Sequence, residues 1–147
     1  MEKHKVLTAV HLFLIDKSDR ILMSRRYNTG YEDGKYSLIA GHIELNESAK
    51  QAMQREAKEE SGIDISLDDL HFSHVMYRKR ENDNVDDRID FFFTSSKWNG
   101  SVKILEKNKC DDMKWFNIRE LPNNTVPYIK KSINEFLNHS NFSEFGW

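Results

Sequence analysis

This sequence has a single cysteine, no long apolar run and no large excess of either charge. The single cysteine, Cys110, excludes an intramolecular disulfide framework and a zinc site made of cysteines. No stretch approaches the roughly 18 consecutive apolar residues that a membrane-spanning helix needs, so we predict no membrane partner. The first apolar run is followed by the charged stretch 16–20 instead of a small-residue cleavage site, so we expect a cytoplasmic protein without a signal peptide.

The charges that are present nearly cancel. The 22 basic and 24 acidic side chains leave a formal net charge of −2, which argues against a stable nucleic-acid complex held mainly by charge. Aromatic residues make up 12% of the chain, whereas disordered chains are poor in them. The length of 147 residues predicts a single domain over 1–147, which we expect to be a monomer or a homodimer.

Apolar periodicity and turn residues predict an α/β architecture. A helix should begin after Ser48, whose hydroxyl forms a capping box with Gln51, and should end near Ser61 with Gly62 in the left-handed conformation. Pro127 favours the start of a second helix. Runs rich in apolar residues predict strands at Val6–Ile15, Arg20–Arg26, Tyr36–Ala40, Leu70–Arg78, Arg88–Thr94 and Met113–Ile118. We expect the first two strands to form a hairpin and the helices to cover both faces of a sheet.

Three glutamates of the first predicted helix point to metal chemistry. Glu56, Glu59 and Glu60 are spaced i, i+3 and i+4 and therefore share one helix face. Neighbouring carboxylates repel one another, so the pKa of at least one should rise. Hard divalent cations take oxygen ligands, and the absence of cysteine and histidine from this helix favours Mg²⁺ or Mn²⁺ over zinc. A solvated acidic surface is the alternative interpretation of the same spacing.

The stretch Gly41–Ile63 places these glutamates in a longer pattern, G-x5-E-x7-R-E-U-x-E-E-x-G-U, where U is apolar. All seven fixed positions are present, and the one mild departure is Ala57, which is small for an apolar position. Seven fixed residues would match by chance in roughly one sequence in 10⁷. The stretch resembles the signature of the Nudix hydrolases, which cleave a nucleoside diphosphate linked to another group, X, with water and Mg²⁺ or Mn²⁺. The resemblance implies the family fold, an α/β/α sandwich with a mixed β-sheet.

The resemblance also implies roles for residues of this stretch. Glu59 and Glu60 match the main metal ligands of the family, and Glu56 matches a residue that either ligates metal or assists as a base. The carbonyl of Gly41 matches a further metal contact. Arg55 matches the arginine that positions the carboxylates by ion pairing, so the catalytic set is expected within this one segment.

Several residues outside this stretch are candidates for the substrate site. An arginine at a strand end can bind phosphate oxygens through two donors, and an aromatic side chain can contact a base. The candidates are Arg25, Arg26, Asp111, Asp112 and Trp115, and by resemblance Asp111, Asp112 or Glu106 is the further acid that many family members use as a metal ligand or base. The alternative for each polar candidate is a solvated surface, and for the aromatic one the core. We expect the remaining fixed acid, Glu47, to pair with Arg55 in a structural role.

Three further segments have no assigned role in the proposed chemistry. The basic group Arg78–Arg80 is interpreted as the tip of a charged hairpin, because acidic residues follow it closely. The Asn28–Gly34 loop and the tail Phe142–Trp147 resemble segments of a subgroup of bacterial Nudix proteins, and neither implies a substrate. Trp147 is interpreted as an apolar plug that docks on the domain.

Three function classes remain open at this point. We favour a MutT-type pyrophosphohydrolase whose partner is a small-molecule nucleotide, a nucleoside triphosphate that is cleaved to monophosphate and pyrophosphate. The second class is a hydrolase of a dinucleoside polyphosphate, a nucleotide sugar or capped RNA. The third is a non-catalytic module that senses a nucleotide, which the intact set of Arg55 and three glutamates disfavours.

Overall fold

The computed structural model describes residues 1–147 and contains eight strands and two α-helices. The helices are α1 (Ala49–Ser61) and α2 (Pro127–Leu137), and a short 3-10 helix covers Leu67–Asp69. The strands are β1 (Val6–Leu14), β2 (Arg20–Arg26), β3 (Tyr36–Ser37), β4 (Ala40–His42), β5 (His71–Arg78), β6 (Asp87–Ser95), β7 (Cys110–Asn117) and β8 (Phe142–Phe145). No helix is long and apolar enough to cross a membrane.

The larger sheet is mixed and has five strands in the order β4-β1-β6-β5-β8. Strand β1 runs parallel to β6, and β5 runs parallel to β8, whereas the β1–β4 and β5–β6 pairs are antiparallel. A smaller antiparallel sheet has the order β3-β2-β7. Strand β4, which carries Gly41, therefore lies at one edge of the larger sheet.

Side-chain alternation along β1 and β6 builds one apolar core on each face of the larger sheet. Val10, Leu12 and Phe93 pack with α1 on one face. Phe13 and Phe92 pack with α2 on the other. Successive residues of a strand point to opposite faces, so a run of consecutive apolar residues can fill two cores at once. This arrangement confirms the predicted α/β/α sandwich with a mixed sheet.

Helix α1 begins and ends as its sequence predicts. The Ser48 hydroxyl accepts a hydrogen bond from the Gln51 backbone N–H at 3.1 Å, and the Gln51 side chain accepts one from the Ser48 N–H at 2.9 Å. Gly62 ends the helix with φ 78°, where a residue with a Cβ is strained. Ala52, Met53 and Ala57 are buried against the sheet. The acidic face of the helix consequently turns away from the core and toward the cleft beside Gly41.

The predicted hairpin of the first two strands is wrong. Between β1 and β2 only the single bridge Ile15–Ile21 forms, and the chain then enters the other sheet. Both edges of β1 are already occupied by β4 and β6, so β2 has no free edge to pair with. The tight turn itself is real, because the Asp16 carboxylate accepts hydrogen bonds from the backbone N–H groups of Ser18 and Arg20, each at 2.9 Å.

One other strand prediction also differs from the structure, and one strand of the structure was not predicted. The segment Tyr36–Ala40 is not one strand: it leaves the smaller sheet after Ser37 and joins the larger one at Ala40. Between them, Leu38 enters the core beside α2 and Ile39 enters the core beside α1. Because these two side chains pack into different cores, the strand is interrupted between Ser37 and Ala40. The chain crosses from one sheet to the other there, and the crossing brings Gly41 next to α1. The tail contains a strand, β8, that extends the larger sheet and was not predicted, and Trp147 after it stacks on Tyr77.

Candidate active site

Gly41, at the strand edge, packs against the Glu56 side chain of α1. A Cβ atom added at Gly41 would overlap the carboxyl group of Glu56, so only glycine leaves room for this side chain. The Glu56 side chain is 14% exposed and is therefore held in one place by its surroundings. The glycine required by the sequence pattern thus has a local physical reason, which is the close approach of a carboxylate.

Arg55 ties the acidic residues of the site together. Its Nε and Nη2 atoms donate to the two carboxylate oxygens of Glu47 at 2.7 and 3.0 Å, which makes this pair bidentate. Its Nη1 atom donates to Glu56 at 2.7 Å and to Glu59 at 3.3 Å. The hydrogen bonds that Arg55 donates to Glu47 raise the pKa of Arg55 and lower the pKa of Glu47. The expected Glu47–Arg55 pair is therefore present in the structure.

Glu60 has the opposite environment from Glu47. Its carboxylate accepts a hydrogen bond from the Ala40 backbone N–H at 3.2 Å, and no salt bridge neutralises it. Burial raises the pKa of Glu60 well above its usual value, and the hydrogen bond and negative charge of Glu56 raise it further. This rise is the one expected from clustered glutamates, and the structure assigns it to the most enclosed of the three.

The donor set fits a hard divalent cation by its chemistry. Glu56, Glu59, Glu60 and Gly41 line one cleft and offer oxygen atoms only. No three acidic, histidine or cysteine side chains already converge in the geometry of a metal site. The Arg55 guanidinium instead holds Glu56 and Glu59. The excess negative charge around Glu60 is what a divalent cation would neutralise.

The cleft above these residues, the acidic cleft, has a volume of about 630 Å³. It is lined by the four residues of the donor set, by Arg55, Arg25 and Arg26, and by Glu44 and Glu106, among others. Arg25 reaches it from the end of β2, but its Nε already donates to Asp111 at 2.7 Å. Arg26 donates through Nε to the Tyr31 carbonyl at 2.7 Å and keeps Nη1 unpaired. Both predicted arginines therefore reach the cleft.

The three predicted acids outside the helix separate in the structure. Glu106 lines the acidic cleft, and its charge contributes to the raised pKa of Glu60. Asp111 and Asp112 do not line it. Asp111 is paired with Arg25, and Asp112 accepts a hydrogen bond from the Tyr36 hydroxyl. Burial and this hydrogen bond raise the pKa of Tyr36 to about 12. Both aspartates lie in β7, and their side chains support neighbouring side chains of the smaller sheet.

Trp115 does not reach the cleft, which corrects its selection as a substrate contact. Its ring stacks on Trp98 at a centroid distance of 5.8 Å and packs against the core beside α1. Met113 and Trp115 lie on the same face of β7, but Trp115 is two residues farther along the strand. Of the two, only Met113 lines the cleft.

A second cavity of about 470 Å³, the basic pocket, adjoins the acidic cleft through Arg26, Ala40 and Gly41. Its cationic side chains are Arg26, Arg78, Lys79, Arg80 and Arg88, and its other lining residues include His11, Tyr31 and Tyr128. The interpretation of Arg78–Arg80 as a hairpin tip gave no indication of this pocket. The cluster of three cations was the only available signal, since the remaining walls come from β1, β2, β4, β6, α2 and two loops.

Polar contacts fix the floor of the basic pocket. Asp90 is fully buried and accepts a hydrogen bond from Arg78 Nε at 2.9 Å. The Arg78 guanidinium lies 3.8 Å from the centre of the Tyr128 ring. The Tyr128 hydroxyl is 3.2 Å from Nε2 of His11. Burial lowers the pKa of His11 to about 4, so this histidine is neutral at pH 7.

The Asn28–Gly34 loop separates the acidic cleft from the basic pocket. The Asp33 carboxylate accepts hydrogen bonds from the backbone N–H groups of Thr29 and Gly30 at 2.9 to 3.1 Å. Asn28 and Gly30 both have positive φ, 53° and 83°, which the tight turn requires. Asn28 and Thr29 line the acidic cleft, whereas Gly30 and Tyr31 line the basic pocket.

Comparison with protein families gives a match to the NUDIX domain over residues 5–136. Among curated proteins, an isopentenyl-diphosphate Delta-isomerase of Aromatoleum aromaticum is 27% identical over 115 residues, which are 77% of this chain and 59% of that protein. An NAD-capped RNA hydrolase, NudC, of Pseudomonas aeruginosa is 23% identical and matches 83% of this chain and 40% of that protein. The chain thus spans about 40 to 59% of the length of these relatives, whose names describe different reactions.

Solved structures resemble the whole fold. A MutT NUDIX hydrolase from Burkholderia pseudomallei superimposes with a TM-score of 0.80 at 18% identity and covers 89% of this chain and 98% of its own. A MutT protein from Methanosarcina mazei gives a TM-score of 0.78 at 17% identity, with 94% and 97% coverage. At these identities the likeness concerns the fold alone.

Proposed function

This chain belongs to the Nudix family, and we propose from this membership and from its acidic cleft that it is a pyrophosphohydrolase. Its substrate would be a nucleoside diphosphate linked to a further group, X, and the family uses divalent metal ions, here Mg²⁺ or Mn²⁺. A nucleoside triphosphate, in which X is a phosphate, would yield monophosphate and pyrophosphate. The observation that carries the proposal is the set of Glu56, Glu59 and Glu60 beside Gly41, with Arg55 holding two of the carboxylates.

The residues of the acidic cleft would have two roles, metal binding and the positioning of the metal ligands. When bound, a divalent cation supplies the positive charge that neutralises phosphate oxygens and makes water a competent nucleophile near neutral pH. Glu56, Glu59 and Glu60 would hold it, with the carbonyl of Gly41. Arg55 would keep Glu56 and Glu59 in position, since its Nη1 contacts both. These roles follow the family pattern.

Arginine and acidic side chains around this set would contact the substrate. Arg26 has an unpaired Nη1 atom and lines the cleft, so it can donate to a phosphate oxygen. Arg25 can add positive charge while it remains paired with Asp111. Glu106 faces the buried Glu60 and is the acid outside the helix that we assign to this site.

The decisive experiment is a substrate panel with metal control. Nucleoside triphosphates, oxidised nucleotides, ADP-ribose, nucleotide sugars and dinucleoside polyphosphates are assayed in EDTA and then with Mg²⁺ or Mn²⁺. Activity should appear only with metal, and in ¹⁸O-labelled water the label should enter a phosphate-containing product. Full turnover in EDTA, or label found only on a sugar carbon, would reject pyrophosphohydrolysis by this site.

A further inference from the structure

The basic pocket carries an excess of positive charge that the proposed reaction does not by itself explain. Five cationic side chains line it, against two acidic ones, Glu81 and Asp86. Lys79 and Arg88 form no salt bridge, and the exposed Arg80 side chain forms one only with Asp83, which is almost fully exposed, at 3.4 Å. Exposed pairs of this kind contribute little, so these cations remain available to an anionic ligand.

The aromatic residues of the pocket are poorly placed to stack on a nucleobase. The Tyr128 ring is 8% exposed, and the Arg78 guanidinium covers one of its faces at 3.8 Å. The Arg26 guanidinium lies 5.2 Å from the centre of the Tyr31 ring. The pocket therefore presents cations where a base-binding pocket would present a flat apolar surface.

The wall of the pocket also contains a polar atom without a partner. His11 is 2% exposed, and its Nδ1 has no hydrogen-bond partner, since the nearest Asp90 oxygen is 4.0 Å away. Unpartnered buried polar atoms are rare in proteins and call for an explanation. Together with the cations around it, this atom makes the pocket a polar site and not a gap in the packing.

Continuity with the acidic cleft indicates which part of a substrate enters. Arg26, Ala40 and Gly41 line both cavities, so a substrate whose phosphoanhydride lies over the glutamates can extend past Gly41 into the basic pocket. We propose that the basic pocket binds the X side of the substrate and that X carries its own phosphate. This inference rests on the proposed pyrophosphohydrolase activity and narrows its substrate class.

Two substrate types share this chemistry. In a nucleoside triphosphate, X is the terminal phosphate itself, and in a dinucleoside polyphosphate it is a second, phosphate-bearing nucleotide. A nucleoside diphosphate sugar has a neutral X and leaves the cations of the pocket without a counter-charge. The specificity expected is for substrates whose negative charge continues beyond the two phosphates of the nucleoside diphosphate.

A binding experiment tests the pocket without requiring turnover. Inorganic tripolyphosphate is titrated calorimetrically into the full chain in EDTA, where the glutamates repel the anion. The double variant R80Q/R88Q should bind about tenfold more weakly than wild type. The charge-preserving R80K/R88K should bind within about twofold of wild type, as should Lys130→Gln, a matched change on the exposed side of α2. Equal affinity in wild type and R80Q/R88Q, or no binding to wild type, would overturn the proposal.

A kinetic experiment separates the two substrate types and the two proposals. With metal present, kcat/KM of R80Q/R88Q should fall about tenfold for a triphosphate, for a dinucleoside polyphosphate, or for both, and stay unchanged for a nucleoside diphosphate sugar of the same nucleoside. The substrate with the larger loss identifies the form of X. An equal loss for the sugar would overturn the inference while the hydrolase proposal stands. If no substrate is hydrolysed, the proposed function fails, and the titration alone decides whether the pocket binds phosphate.

Discussion

The acidic cleft and the basic pocket lie side by side and share Gly41, yet they hold their charges in different ways. In the acidic cleft one arginine, Arg55, contacts several carboxylates, and Glu60 has no cationic partner. In the basic pocket one buried carboxylate, Asp90, holds Arg78, and the only salt bridge of the other lining cations is the exposed pair of Arg80 and Asp83. The charge excess therefore changes sign across Gly41. A substrate that spans both cavities would meet the proposed metal ligands at one end and the cations of the basic pocket at the other.

The largest effect should come from Glu59→Gln in the acidic cleft. The variant removes a charge proposed to hold metal, so we expect kcat to fall by about 10³-fold. The Glu59 side chain is 52% exposed and supports no core packing, so the free energy of unfolding should hardly change. Steady-state kinetics and chemical denaturation measure both. Glu120→Gln, an exposed glutamate after β7, is the control. Unchanged kcat in Glu59→Gln would remove this carboxylate from the mechanism.

The next largest effect should be a pH dependence of stability caused by His11, which lines the basic pocket. Burial lowers the pKa of His11 to about 4 from 6.5, although Asp90 opposes this and Arg78, Arg26 and His42 add to it. The unfolded chain therefore binds the proton more readily, and stability should be lost as the pH falls from about 6.5 to 4. The loss should be no more than about 3 kcal/mol.

Denaturant unfolding at several pH values measures this dependence. In His11→Asn the contribution should disappear, so the free energy of unfolding should change less between pH 6.5 and 4 than in wild type. The same slope in both proteins would show that His11 is not the titrating group.

A smaller effect on rate is expected from Gly41→Ala, where the two cavities meet. The added methyl group overlaps the Glu56 carboxyl group, so the side chain must move away from its position beside Arg55. We expect kcat to fall by about tenfold to a hundredfold, as for an ångström-scale displacement of a catalytic group. Gly100→Ala is a control in which the added methyl group makes only ordinary van der Waals contacts, although its φ of 94° adds backbone strain. A Gly41→Ala enzyme with full kcat would show that the position of Glu56 is not critical.

The smallest effect should come from the tail that borders the basic pocket. The Trp147 ring stacks on Tyr77 with a centroid distance of 5.1 Å, and Lys79 Nζ lies 5.3 Å from its centre. Trp147→Ala should lower the free energy of unfolding by about 1 kcal/mol, because the stack is partly exposed. Trp147→Phe should retain most of it. If Trp147→Ala unfolds at the same denaturant concentration as wild type, the contact is not stabilising.

Local sequence rules predicted α1 and the residues on its face. The Ser48 capping box and the left-handed Gly62 depend on neighbours three or four residues away, and the Glu47–Arg55 pair links two positions of the same segment. Strand pairing was less predictable. The hairpin prediction was wrong because both edges of β1 pair with strands that are distant in the chain, β4 and β6. Trp115 was placed wrongly for a related reason, since its stack with Trp98 depends on how β7 packs against the segment after β6.

By itself, the sequence determined the Nudix pattern at Gly41–Ile63 and the helix that carries it, because these follow from short-range spacing and side-chain periodicity, and the resemblance to the family implied the sandwich around them. The single domain, the monomer or homodimer and the cytoplasmic location stay predictions. Only the tertiary structure decided that Glu106 joins the acidic cleft and that His11, Arg78 and Tyr128 meet in one pocket. Those residues come from different elements, and contacts between distant elements depend on strand order and packing, which local spacing does not encode.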